Sequence, residues 1–247
     1  MRVFAISIQK GGAGKSTTAA AFAQAAAYRG RRALLIDLDP QGNSSFLVKA
    51  DATRPGAYDL LNGTPAADLI QTTAQGVHVI PANWALATMK SGPGSARRLQ
   101  KAIDPVKTNY DFIFIDTPSA AGEMQYNAMQ AATDLIIPVQ ADTLSLQAFY
   151  QTTDTARQFG RSNPGLTHYY VLFTQYDARG SITRTMRGII EDKAAAQGVA
   201  SLGAIRGAVA IKEAAALQAS LFKYAPRSNP ARDYLQAFDG LTGNTNQ

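Results

Sequence analysis

Cysteine is absent from the 247 residues. That removes disulfides, thiolate zinc sites and iron–sulfur clusters together. Histidine is nearly absent: His78 and His168 are the two, both in strand-like sequence and neither in a His/Asp/Glu spacing that suggests a metal site, so each is read as structural. No apolar run approaches the roughly 18 residues a bilayer span needs, and strand-like sequence begins almost at the first residue, so a cytoplasmic protein with no membrane association is expected. Internal repeats and low-complexity segments are also missing. What is present is an ordinary globular composition, 46% hydrophobic and 17% charged, in a length that one large α/β domain accounts for. The net charge of +6 and pI near 9.5 suggest an anionic partner, although charge says nothing about fold.

Residues 3 to 17, Val-Phe-Ala-Ile-Ser-Ile-Gln-Lys-Gly-Gly-Ala-Gly-Lys-Ser-Thr, read as a buried strand, a glycine-rich turn and the start of a helix. That order suits a phosphate cradle. Gly11, Gly12 and Gly14 carry no Cβ, so backbone N–H groups from Gly11 through Ala13 to Thr17 can surround an anion at the positive end of the helix. Lys15 would reach the outer phosphates and the Ser16 hydroxyl would help hold Mg²⁺. The alternative is a glycine-rich turn that binds nothing, with Lys10 and Lys15 merely solvated.

Strand and helix signals alternate along the chain. An alanine-dominated helix runs from Ser16 to Arg29 and stops at Gly30; Arg32-Ala-Leu-Leu-Ile-Asp is a second strand, and Val77-His-Val-Ile-Pro a third. Residues 94 to 108 read as a helix with Leu99, Ile103 and Val106 on one face. Asp111-Phe-Ile-Phe-Ile-Asp is the clearest buried strand, Asp134-Leu-Ile-Ile-Pro-Val another, and Tyr169-Tyr-Val-Leu-Phe-Thr is taken as the last. The expected fold is α/β, a doubly wound, mostly parallel sheet with helices on both faces. Residues 1–242 are expected to form one domain and 243–247 a disordered tail.

Asp116 ends the clearest buried strand, where a carboxylate can hold Mg²⁺ directly or through water, or simply cap a turn. Asp37 and Asp39 end the second strand and alternate to the same face. Between Arg179 and Arg232, nine cations face Glu191, Asp192 and Glu213. On a helix from about Ser181, Arg184 and Arg187 share a face, which is either a solvated surface or an anion-binding one.

The form Lys10-Gly-Gly-x-Gly-Lys15-Ser16 resembles the deviant Walker A motif of the ParA/MinD family of P-loop ATPases, here of ParA/Soj type; Gln9 stands where the general pattern has its first glycine. Asp37-Leu-Asp-Pro-Gln-Gly-Asn resembles the family's Walker A′ motif, and Asp111 to Pro118 its Walker B strand, with Ser119 in place of a second proline. Thr174 to Arg179, and Arg206 to Ala214, resemble two C-terminal family segments. The absence of cysteine excludes the nitrogenase iron protein and the arsenite-pump ATPases of the same superfamily. The resemblance implies ATP and Mg²⁺ as cofactors and an ATP-driven homodimer in which Lys10 contacts the partner subunit's nucleotide. Asp39 would orient the attacking water, with Asp37 behind the magnesium site. Non-specific DNA would bind once ATP has made the dimer, for which Arg184, Arg187, Arg206 and Lys212 are candidates; Arg206 is also a candidate nucleotide contact. Hydrolysis stimulated by a ParB-like cargo adaptor would release the DNA, so the protein would be nucleoid-associated while ATP-bound. The resemblance leaves two alternatives, a MinD-like membrane-associated positioning ATPase and a P-loop metabolic ligase or synthetase.

Overall fold

A computed structural model describes residues 1–92 and 94–243. Its elements follow local sequence. The apolar start forms β1 (Arg2–Ile6), and the alanine-rich stretch, rich in strong helix formers, forms α1 (Lys15–Tyr28), after which Gly30 turns the chain at φ 68°. Then come β2 (Ala33–Asp37), three short helices α2 (Asn43–Leu47), α3 (Ala57–Leu61) and α4 (Ala66–Leu69), and the strands β3 (Gln71–Thr72) and β4 (His78–Ile80). The middle of the chain gives α5 (Arg98–Ile103), β5 (Phe112–Asp116), α6 (Glu123–Ala131), β6 (Asp134–Val139) and α7 (Thr143–Gly160). The last part gives β7 (His168–Tyr176), α8 (Ser181–Ala196), β8 (Ala200–Arg206), α9 (Val209–Ala216), α10 (Leu221–Tyr224) and α11 (Asn229–Thr242).

The sheet has eight strands in the order β3, β4, β2, β5, β1, β6, β7, β8, and every neighbouring pair is parallel except β3 with β4. Successive side chains of the central strands bury on opposite faces. On one face Phe4, Phe112 and Phe114 pack under α1 and α11, where Phe22 meets the ring of Tyr234 edge-on at 5.9 Å. On the other, Val3, Ala5, Ile113, Ile115 and Leu135 pack with residues of α5, α6 and α7. Both faces are therefore covered, as a parallel sheet requires. Arg2 fastens α11 to the sheet: its guanidinium pairs with the buried Asp134 and donates to the Tyr170 hydroxyl and the Leu241 carbonyl.

Besides the two-residue edge strand β3, two features differ from the sequence reading. The helix expected over 94–108 is interrupted: α5 is flanked by single 3₁₀ turns at Ser95–Arg97 and Lys107–Asn109, and on its C-terminal side Pro105 offers no N–H to continue it. Its buried face is still Leu99, Ile103 and Val106. A further strand, β8, lies beyond β7. Its pairing with β7 shifts register twice and Gly203 adopts φ 85°, so the period-two signal is broken in the sequence itself. Of the expected tail, Gly243 caps α11 at φ 71° and the remainder lies outside the described residues. His78 meets the Tyr110 hydroxyl at 2.9 Å and His168 lies 3.5 Å from Asp134.

The strand order fixes the site. Strand β1 sits between β5 and β6; the chain first turns towards β2 on one side, then later adds β6, β7 and β8 on the other. That reversal opens a crevice at the carboxyl ends of β1 and its neighbours, where ligands of such sheets sit.

Candidate functional site

The loop from β1 to α1 lies in that crevice. Gly12 and Gly14 take φ of 70° and 84°, values an L side chain adopts only with strain, and a Cβ at Gly14 would stand 3.3 Å from the Thr174 methyl. Strand β7 grips the loop: the Thr174 hydroxyl donates to the Ala13 carbonyl at 2.9 Å, and the Gln175 amide to the Gly12 carbonyl at 3.0 Å. Because each peptide is planar and trans, the N–H groups of Ala13 and Gly14 point away from β7. Gln175 is itself left-handed at φ 51°. Sequence reasoning gave Thr174 and Gln175 no part in the site, since nothing in a strand's apolar pattern reports a side chain that clasps a distant loop.

A cavity of about 370 Å³ lies over the loop, lined by Gly12 to Thr17 together with Asp39, Asn43, Phe46 and Gln175. Next to it, a mostly apolar cavity of about 550 Å³ is shared by Gly14, Thr17, Gly207, Val209, Lys212 and Tyr234. A polar cradle adjoining an apolar slot suits a ligand with an anionic tail and a flat, largely apolar head. Lys15 is buried and donates to the Lys10 carbonyl at 3.1 Å; burial lowers its pKa, against the opposing pull of Asp116 and Asp39.

Asp37 and Asp116 are register partners on adjacent parallel strands and are fully buried. Their surroundings differ. Asp37 accepts from the Asp39 N–H at 3.0 Å, the Ser45 N–H at 2.9 Å and the Ser45 hydroxyl at 2.7 Å. Neither oxygen of Asp116 has a hydrogen-bond partner. Burial, and next the charge of Asp37, push its carboxyl well above the ordinary range; Ser16 and Ser44 sit near enough to pull the other way without completing a bond. A buried carboxylate left bare is rare and calls for a partner. A divalent cation beside Ser16 would supply one. Among the described residues no group of three or more His, Cys, Asp or Glu could enclose an ion. Such a cation would therefore take its remaining ligands from phosphate and water, the habit of Mg²⁺. Asp39 lies on the cavity wall, oriented by its own loop through the Gln41 N–H at 3.0 Å.

Lys10 points elsewhere. Its ammonium donates to both oxygens of Asp142 at 2.7 and 3.0 Å, to Gln140 at 3.1 Å and to the Ser145 hydroxyl at 2.8 Å. Asp142 also caps α7 by accepting from the Ser145 N–H at 2.7 Å. Burial raises the Asp142 carboxyl, but Lys10 and Ser145 outweigh it and the pKa ends below its ordinary value. The dock that Asp142 gives Lys10 leaves no trace in the local sequence, since the two lie 132 positions apart.

The structure does not bring the basic candidates together at the cradle. Arg206 ends β8 in a two-pronged pair with Asp233 at 2.6 and 2.9 Å and lines neither cavity. Arg187 lies over the Phe173 and Tyr176 rings at 5.4 and 5.2 Å and pairs with Glu191. Arg184 donates to the carbonyls of Ala178 and Arg179. Lys212 alone of the four borders the apolar slot.

The chain is similar in sequence and fold to known proteins. A family described as AAA domain matches residues 1–167. The sporulation initiation inhibitor protein Soj of Bacillus subtilis is 34% identical over 253 residues, covering 98% of this chain and 99% of that protein. The chromosome partitioning protein ParA of Caulobacter vibrioides is 38% identical over 194 residues, 74% of this chain and 73% of that one. Among solved structures, cobyrinic acid a,c-diamide synthase of Mycobacterium smegmatis with bound ADP and magnesium superposes with a TM-score of 0.80 at 28% identity, covering 98% of this chain and 94% of the other.

Proposed function

Because this chain belongs to the ParA/Soj-like branch of the ParA/MinD family of P-loop ATPases, we propose that it is an ATP- and magnesium-dependent ATPase that positions DNA or another cargo. The observation that carries the reading is the bare carboxylate of Asp116 beside a glycine cradle that ends in Lys15 and Ser16. The N–H groups of Gly11 to Thr17 would hold the phosphates and Lys15 would neutralise the outer ones. Ser16 and Asp116 would hold Mg²⁺, with Asp37 fixed behind them by Ser45. That ion, when bound, offsets the charge that develops on the phosphate oxygens. Asp39 would orient the attacking water. Lys10 would leave Asp142 and cross to the phosphates of a second copy, so that ATP closes a dimer. The dimer would hold DNA through phosphate contacts alone, and hydrolysis stimulated by a ParB-like adaptor on the cargo would release it.

The membrane alternative finds no support in α11, whose Tyr234, Ala237, Phe238 and Leu241 are buried against the sheet and leave no apolar face over. The ligase alternative is favoured by the likeness to the diamide synthase. Retention on random-sequence DNA with ATP, ADP and stepped salt separates these readings. Binding is expected with ATP only, falling steeply with salt and indifferent to sequence. Equal retention with ADP, or turnover raised by a small carboxylic acid and not by DNA, would overturn the positioning reading.

A further inference from the structure

Two neighbouring serines at the start of α2 are treated in opposite ways. The Ser45 hydroxyl is fully used, donating to Asp37 at 2.7 Å and accepting from the Ala82 N–H at 3.0 Å. The Ser44 hydroxyl is as deeply buried, with no exposed surface, and has no hydrogen-bond partner. A buried hydroxyl ordinarily has a hydrogen-bond partner, and Ser44 has none. An unmet hydroxyl in a dry site destabilises the fold, and alanine would remove that penalty at no cost in helix propensity.

Its neighbours say what it waits for. Ser44 is the residue before Ser45, whose N–H Asp37 holds at 2.9 Å, and Asp37 is the register partner of Asp116 on the adjacent strand. Asp37 is already satisfied by Ser45 and Asp39, so the group still lacking partners beside Ser44 is Asp116. Two unpartnered polar side chains, both fully buried, therefore lie beside the satisfied Asp37, one on α2 and one at the end of β5.

We propose that the Ser44 hydroxyl is a positioning group for the magnesium ion held at Ser16 and Asp116, hydrogen-bonded only when the ion and its water shell fill the space beside that carboxylate. The proposal rests on the reading of Asp116 as a magnesium ligand. It assigns a role to α2 that the glycine cradle and the Asp37/Asp39 pair do not contain: the ion's affinity is set partly from the segment that lines the cavity with Asn43 and Phe46.

The test uses the full chain and a fluorescent, non-hydrolysable ATP analogue, with Mg²⁺ titrated upward from EDTA, alongside thermal melts in EDTA without nucleotide. Ser44→Ala is expected to raise the magnesium midpoint by about 10-fold or more, the size typical of groups that orient a metal's ligands. The same variant should melt at or above the wild-type temperature in EDTA, since it loses only an unmet hydroxyl. Ser45→Ala, which breaks two existing bonds, should melt lower. An unchanged magnesium midpoint in Ser44→Ala overturns the proposal, as does a lowered melting temperature, which would mark a structural serine. If the wild-type protein binds the analogue equally with and without Mg²⁺, the reading of Asp116 fails and this proposal with it.

Discussion

Lys10 is docked in its own subunit, so any role across a dimer interface requires its release, and the strength of the dock can be worked out. The pair with Asp142 is half in water, the two side chains being 19% and 41% exposed. Screening limits such a pair to about 0.5–1 kcal/mol. Asp142→Asn removes the charge while keeping an acceptor for the Ser145 N–H, because Asn caps a helix as well as Asp. The fold should lose less than about 1 kcal/mol. Two docks must open for each dimer formed, so the variant should favour the ATP-bound dimer by about 1–2 kcal/mol, roughly 5- to 30-fold in the dimer dissociation constant. Sedimentation equilibrium with a non-hydrolysable ATP analogue and Mg²⁺ reads this directly. The gain should shrink in 0.5 M salt, roughly where an exposed pair is screened beyond 4 Å. A dimer constant that is unchanged or weaker in Asp142→Asn would show that Lys10 does not leave Asp142 on assembly.

The buried carboxylate gives a pH signature. Because the folded chain raises the Asp116 pKa, the native state keeps a proton the unfolded chain has given up, and stability from this group is lost as pH rises from the ordinary carboxylate value of 3.8 through the raised one. Urea unfolding in EDTA at stepped pH should show wild type losing ground to Asp116→Asn across that window; a difference flat in pH would contradict it. Gly14→Ala should destabilise the fold by about 1–2 kcal/mol, a melting-point drop of roughly 2–8 °C for a chain this size, from the left-handed backbone and the contact with Thr174. It should also abolish binding of the ATP analogue, and an unchanged melt with normal binding would mean that the loop is not the cradle.

The layered architecture was legible because parallel strands are buried on both faces and read as continuous apolar runs, as Phe112–Asp116 does. The turn after β1 was legible because Gly12 and Gly14 take φ of 70° and 84°, which L side chains adopt only with strain. The edges of the sheet were not. In β8 a bulge and Gly203 disrupt the alternation, and β3 is only two residues long. Nor could a sequence reveal the contacts that act at long range. The Thr174 clasp on Ala13 and the Asp142 dock for Lys10 join residues separated by 161 and 132 positions, and neither makes a local pattern. Charge counting alone does not give the pairing either: Arg187 meets Glu191 four residues on along α8, while the Asp233 partner of Arg206 lies on another element.

On the proposed function, Asp39, on the wall of the cavity over the glycine turn, serves hydrolysis and not binding. Turnover of ATP by Asp39→Ala, measured beside its affinity for the same nucleotide with Mg²⁺, addresses it most directly. Wild-type affinity with turnover reduced to background is expected; turnover equal to that of the wild type would mean that Asp39 does not orient the attacking water.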